Sequence, residues 1–427
     1  MPHTLTTLAE VLDDLRAPLR NILGEKSMAR KWAKQSPIRG GGKQVLQPLI
    51  VADDTGFGWI TDGGNIAAAS GGDPEELTIP YRYFAGRMRV TGPTIEAAGE
   101  SKSQLTNAVQ WGMERLVSSV TSNLNRAVFS GGRCLGFLNE RKSDTAKLWE
   151  FSGDTQKVAD LITANGGATI TCSIFAMDDY ATEDATVEIS VATAATGLVT
   201  IDDALDTTDV SDGSAIAVVC TETLSNITIE PLGIYSALGE QTYFSLDRSA
   251  AAGSVARSNV LTIGVADGAN TRADVTLRRI QVLLDQMKEN TRGESRPSRC
   301  FYHPAMHESL QSLFTAAATM NITVDSGGGG RTADGGIAQF SHAGIPFEPH
   351  IDCGKGMLIF VQDDTWATYS MREGDWDDSG GSVIEKVSGV DAVEAYWKEY
   401  QNLACYGPNF AGALVGLTFP GEGAGTT

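Results

Sequence analysis

The sequence predicts an α+β fold, and three observations predict it. Apolar residues between Gly99 and Gly132 recur at helical spacing over an unusually long run. The Gly-broken segment before that run has β-like patches and few large apolar residues. The region from Ala168 to Ile229 alternates short apolar runs with turn residues at strand-like intervals. A chain with a long helix, an unsupported extended segment and a separate β-rich block suggests a subunit shaped for its neighbours.

The long helix follows from Leu105, Val109, Met113, Leu116, Val120, Leu124 and Val128, which fall three or four residues apart and share one face. Ser101 and Gln104 fit a capping box, in which each side chain satisfies an orphan amide at the helix start. Ser130, Gly131 and Gly132 end the run, because glycine reaches the left-handed conformation of a helix C-cap. About 28 residues at 1.5 Å each give a rod of roughly 42 Å.

Before it, Leu8, Leu12, Leu15, Leu19 and Leu23 predict a helix over Leu5 to Lys34, interrupted at Pro18. Pro37 to Pro48 reads as extended. Runs at Phe57–Thr61 and Leu77–Val90 predict a hairpin with a small-residue tip from Gly63 to Asp73. A lone hairpin is marginal in water, so this one is expected to lie on another surface. Leu12, Leu15 and Leu19, with Ile79, Phe84 and Met88 of the hairpin, have no obvious intramolecular core and are the candidate intersubunit contacts.

After the long helix, strands are expected at Ile170–Ile174, Thr186–Val191, Gly197–Ile201, Ala215–Val219 and Asn226–Ile229, forming an acidic β-insertion. Asp274 to Met287 is an amphipathic helix on Leu277, Ile280, Leu284 and Met287. Arg299–Tyr302 reads as a buried strand, with Pro304 at the first position of a helix through Ala318. Ser326 to Gly336 is a Gly-rich loop. Ile345–Phe347 and Met357–Val361 are strands joined by a turn. Val393–Cys405 and Ala411–Phe419 predict a closing hairpin around Gly407-Pro408.

Composition narrows the function. Glycine supplies 47 of 427 residues, above the usual ~7%, which implies many turns. No run of about 18 apolar residues exists, so no membrane-spanning helix is expected. The start, Met1-Pro2-His3-Thr4, lacks the basic and apolar regions of a secretory signal. The six scattered cysteines include no CxxC pair and suit reduced, buried thiols.

The net charge of −20 is uneven. Residues 1–50 hold eight bases and four acids, whereas residues 151–250 hold sixteen acids and only Lys157 and Arg248 as bases. A basic arm on an acidic body suits contact with an acidic neighbour or with phosphate at one place only, and differs from a dedicated nucleic-acid binder.

Chemical motifs are weak. His303 and His307 lie four apart with Cys300 upstream, but Pro304 stands where a metalloprotease has glutamate. Neither Gly40-Gly41-Gly42-Lys43 nor Gly327–Gly330 completes a phosphate loop. Asp202, Asp203, Asp206, Asp209 and Asp212 lack the spacing of a calcium loop. No nucleophile elbow occurs. No catalytic residue, cofactor site or metal site is expected, and an α/β enzyme with a β-insertion is the weaker alternative.

The order of the parts resembles the major capsid protein of tailed double-stranded-DNA phages, with a Hong Kong 97-like fold. The resemblance is carried by Arg87-Met-Arg-Val-Thr-Gly-Pro-Thr-Ile-Glu-Ala-Ala98, by a helix ending Leu124-Asn-Arg-Ala-Val-Phe-Ser-Gly131, by Thr242-Tyr-Phe-Ser-Leu-Asp-Arg-Ser249, and by Arg299-Cys-Phe-Tyr-His-Pro-Ala305. Gly344-Ile-Pro-Phe347 to Tyr369 is similar to the family's late strand pair. The resemblance implies an N-terminal arm over 1–50 and an extended loop over 51–92. A peripheral domain with the spine helix would follow over 93–150, then the insertion over 151–250. The axial domain would occupy 251–343 and the return strands 344–427. It implies assembly of the chain with itself into pentamers and hexamers of an icosahedral head, a virion component made in host cytoplasm. Scaffolding, portal and decoration proteins would be its partners, and double-stranded DNA would be enclosed without sequence-specific binding. The loop crosslink of some relatives is not expected, because no lysine occurs between Asn65 and Gly99. No long N-terminal scaffolding segment is evident, so separate scaffolding is expected. An encapsulin-type compartment is the alternative within the same fold.

Overall fold

A 29-residue helix, α2 (Lys102–Ser130), is the longest element of the computed structural model. The description covers residues 32–37, 42–50, 74–97, 102–143, 147–167, 169–177, 186–193, 198–201, 216–221, 229–250, 256–262, 273–317, 340–379 and 383–419. The short helix α1 (Gly92–Ala97), opening on Gly92-Pro93, precedes it. Of the expected apolar stripe, Met113, Val120, Leu124 and Val128 are buried and Leu116 packs at the edge, as the helical period requires. Gly132, at φ +87°, turns the chain out of the helix, and a Cβ there would meet the Ser236 hydroxyl at 2.4 Å.

The helix lies on a sheet in which β20 (Ala392–Cys405) is central. On one edge β20 pairs antiparallel with β18 (Trp366–Trp376) and then with β19 (Ile384–Lys386); on the other it pairs with β4 (Arg82–Thr91). The core between helix and sheet contains Met88, Met113, Val117, Val120, Trp376, Ala395 and Trp397. The expected helix from Leu5 lies outside the described residues except at its end. There the expectation is corrected: Lys34 begins strand β1 (Lys34–Pro37), which adds parallel to β18.

Of the expected hairpin, the first run at Phe57–Thr61 and the tip lie outside the described residues, and the second run is corrected. That run splits at Tyr81 into β3 (Pro74–Pro80) and β4, which do not pair with each other. Instead β3 pairs antiparallel with β2 (Gln44–Ile50), and β4 joins the β20 sheet. The ribbon β2–β3 buries Val45, Leu77 and Ile79 in the main core, where a lone hairpin would have left them in water.

Six strands close a barrel in the order β10-β5-β6-β9-β8-β7, comprising β5 (Cys134–Ser143), β6 (Leu148–Gly153), β7 (Ile170–Ala176), β8 (Val187–Thr193), β9 (Leu198–Ile201) and β10 (Ile216–Cys220). Four of the five expected strands are present. The fifth, Asn226–Ile229, lies outside the described residues except at Ile229, which is helical. The barrel begins at Cys134, not at residue 151, because β5 and β6 are two of its walls. Alternation fills it with Leu135, Trp149, Phe151, Ile170, Cys172, Ile174, Ile216 and Val218. On β10 the other face, Ala217 and Val219, enters the main core, so that strand is buried on both sides. Helix α3 (Thr155–Ala164), capped by Asp154, adds Val158 and Leu161 to the barrel core.

Residues 229–250 belong to the main body, through the fully buried α4 (Ile234–Gly239) and the hairpin β11 (Thr242–Tyr243) and β12 (Leu246–Asp247). A second sheet runs β13-β21-β17-β14-β16-β15, from β13 (Asn259–Thr262), β14 (Arg299–Tyr302), β15 (Phe340–His342), β16 (Ile345–Pro349), β17 (Met357–Val361) and β21 (Gly412–Val415). Helices α5 (Leu277–Asn290), capped by Thr276, and α6 (His307–Ala317), entered through a 3₁₀ turn at Pro304, belong to this part of the fold, and Leu283 and Leu310 lie in its core. Two adjacency expectations fail here. β14 lies between β16 and β17, and β20 and β21 sit in different sheets, so Gly407-Pro408 is a crossing between sheets rather than a hairpin turn.

Candidate assembly site

The helix–sheet unit presents large side chains to solvent along its length. Trp111 of α2 is 64% exposed and carries the Arg115 guanidinium 5.5 Å from its ring centre. Tyr83 of β4, 56% exposed, meets the edge of Tyr400 at 5.0 Å, and Ile229 is 54% exposed beside it in one cleft. That cleft, of about 300 Å³, is bounded by β4, α2 and residues 229–231. Arg82, Arg126 and Glu230 are its charged groups.

A polar junction fixes the end of the helix to the barrel. The helix C-terminus carries unsatisfied carbonyls with partial negative charge. Lys157, on α3 of the barrel and 4% exposed, donates to the carbonyl of Ser130, to that of Gly132 at 2.9 Å, and to Glu230 at 3.0 Å. Arg126 binds the other oxygen of Glu230. The Ser130 hydroxyl donates to Asp154 at 2.7 Å, and Asp154 in turn accepts the Lys157 backbone amide at 2.9 Å. Nearby, burial and the charge of Asp154 push the Asp352 carboxyl up to about 6, against the opposing pull of Arg126.

The other base of the acidic block acts in the same way. Arg248 is fully buried, donates to the carbonyls of Ala237 at 2.7 Å and Ser236 at 3.3 Å, and lies 4.8 Å from the Tyr243 ring centre. Both bases of residues 151–250 therefore close helix ends. Their isolation among sixteen acids was the signal in the sequence that set them apart.

The candidate contacts distribute unevenly. Leu12, Leu15 and Leu19 lie outside the described residues. Ile79 is 1% and Met88 8% exposed, and Phe84 packs against the helix–sheet core. These three have an intramolecular core after all, which removes the ground on which they were given to a neighbour. Trp32, which sequence reasoning did not single out, is buried against Trp366 at 5.1 Å and Phe301 at 5.6 Å.

Of the weak chemical motifs, the histidines and cysteines take structural roles, while Asp202 to Asp212, Gly327–Gly330 and Gly40-Gly41 lie outside the described residues. His303 accepts the Ala305 amide at 3.0 Å as a turn cap, and burial lowers its imidazole to about 4. His307 shares a hydrogen bond with the Tyr302 hydroxyl at 2.9 Å. All six cysteines are buried free thiols. Burial pushes Cys405 up to about 12 and raises Cys134, Cys300 and Cys353 as well. Among the described residues no group of three ligating side chains is placed to hold a metal, and no helix is long and apolar enough to cross a membrane.

No family model and no curated protein matches the sequence. Among solved structures, the chain is similar to the cyanophage A-1(L) capsid asymmetric unit, at 14% identity over 93% of each chain with a TM-score of 0.47. It is similar to the capsid of the native GTA particle at 9% identity, over 92% of this chain and 91% of that one, with a TM-score of 0.45. The holo-SrpI encapsulin complex from Synechococcus elongatus matches at 8% identity, over 91% of this chain and 86% of that one, with a TM-score of 0.39.

Proposed function

We propose that this chain is a major capsid protein, a structural subunit that assembles with itself into pentamers and hexamers of an icosahedral phage head around double-stranded DNA. The observation that carries the reading is one continuous unit. It is a strand, a Gly-Pro turn and a 29-residue helix, braced by a sheet on one side and with Trp111 left exposed. A rod of about 43 Å with uncovered aromatic surface suits a subunit whose neighbours complete its burial. The quoted stretches from Arg87 to Ala98 and from Leu124 to Gly131 frame this same unit.

In this reading the role is mechanical rather than enzymatic, and wide interfaces between identical chains hold the shell. Leu12, Leu15 and Leu19 form the arm's contact with a neighbour. The protein is a virion component made in host cytoplasm, working with separate scaffolding, portal and decoration proteins, and its net negative body keeps packaged DNA from adhering to the wall.

Negative-stain electron microscopy of the purified, unfractionated chain tests this. Closed shells, tubes or rings of five and six are expected. Small compact particles alone, at high concentration and with the neighbouring structural genes coexpressed, would overturn it. Enzyme cargo in place of nucleic acid inside shells would convert the reading to an encapsulin-type compartment.

A further inference from the structure

A second cleft, of about 520 Å³, opens between the ribbon β2–β3 and the hairpin β11–β12. We propose that it is an oxyanion site, in which Arg82 and Arg133 grip a phosphate or carboxylate group. Arg82 and Arg133 both line it, close enough for their like charges to interact, and Gln44 and Thr242 add an amide and a hydroxyl. The Nε of Arg82 is buried with its donor unused. A buried charged donor without an acceptor is costly, and an oxyanion supplies the matching acceptor pair for a guanidinium fork.

The one carboxylate lining the cleft does not fill this role. Glu240 spends an oxygen on the backbone amides of Arg133 at 2.9 Å and Cys134 at 3.2 Å. Burial lowers the Arg82 pKa; the attraction of Glu240 opposes this, while the like charge of Arg133 adds to it. A bound anion would relieve both the burial and the repulsion. Phe244 lines the same cleft at φ +54°, a conformation that a bulky residue holds only where its surroundings impose it. The proposal concerns a cleft within a single chain, although Arg82 also borders the cleft of the candidate assembly site.

Thermal unfolding of the full chain tests it, with inorganic phosphate and glutarate as separate probes and sodium chloride matched for ionic strength. Millimolar phosphate or glutarate is expected to raise the Tm by about 2 °C beyond the chloride control, by mass action on the folded state. The more effective probe identifies the group as phosphate or carboxylate. The rise should vanish in Arg82→Gln and in Arg133→Gln. Arg133 is exposed, so its variant should fold. An equal rise in wild type and variants, or no rise in wild type, would overturn the proposal.

Discussion

The indole N–H of Trp32 donates to Oδ1 of Asp363 at 2.7 Å, although 331 positions separate them in the chain. Arg299 grips the same carboxylate through Nε at 2.9 Å and Nη2 at 2.7 Å. Asp363 thus ties Trp32 of the arm to Arg299 of the second sheet, and Trp32 is part of the folded body.

Truncations should divide at this point. Removal of residues 1–31 is expected to leave unfolding stability unchanged while abolishing assembly, because it spares Trp32 and removes the leucine stripe. Removal of 1–50 takes Trp32, β1 and β2 and should unfold the protein or lower its Tm sharply. Trp32→Ala alone should cost about 3–5 kcal/mol by denaturant titration. Normal particles from the 1–31 truncation would refute the role given to the arm.

Lys157→Met should destabilise the chain by about 3 kcal/mol. It keeps the apolar stem but leaves two helix-end carbonyls without their buried donor and Glu230 with Arg126 alone. The same change at an exposed base such as Arg278 should stay within about 0.5 kcal/mol. Equal losses at the two positions, in urea titrations, would contradict the capping role.

Two glycines of one segment should respond oppositely. A Cβ at Gly112 would meet the Met88 side chain, its Sδ at 3.1 Å and its Cγ at 3.6 Å, and that thioether can shift. Gly112→Ala is therefore expected to raise stability by up to about 1 kcal/mol through helix propensity. A Cβ at Gly131 would meet the carbonyl oxygens of Ala127 and Pro231, each at 2.3 Å, and backbone cannot yield so far. Gly131→Ala should cost more than about 2 kcal/mol.

The pH dependence turns on Asp352. Its folded pKa, about 6, lies above the ordinary carboxylate value, so the folded state binds this proton more tightly than the unfolded chain does. Its contribution to stability is present below the ordinary value near 4 and is lost as pH rises through 6. Asp352→Asn should accordingly stabilise the protein at pH 7.5, by about 1 kcal/mol after allowance for solvent screening, and change little at pH 4. Denaturant midpoints at the two pH values decide it, and a gain confined to low pH would have the wrong sign.

The legible parts of the fold were those with local causes. Helical period and capping residues placed α2 within a residue or two, α6 within three, and β14 at its observed ends, because intrachain spacing alone defines them. Partnership was not legible. Ile79, Phe84 and Met88 looked orphaned since their cores come from segments tens to hundreds of positions away. β16 and β17 looked paired because proximity in sequence hid the insertion of β14 between them. Of the candidate site, the lone bases Lys157 and Arg248 were visible as exceptions, but their acceptors were not.

By itself the sequence determined the long helix, the acidic strand-rich block with its alternating apolar positions, the buried character of the thiols and the α+β class. These follow from periodicity and composition, which act between near neighbours. Only the tertiary structure decided that the barrel starts at Cys134, that β3 and β4 part company at Tyr81, and that Trp32 belongs to the core. It also decided that Arg82 and Arg133 line one cleft. Each of these depends on which distant surfaces bury one another, and pairing across hundreds of residues leaves no local pattern in the chain.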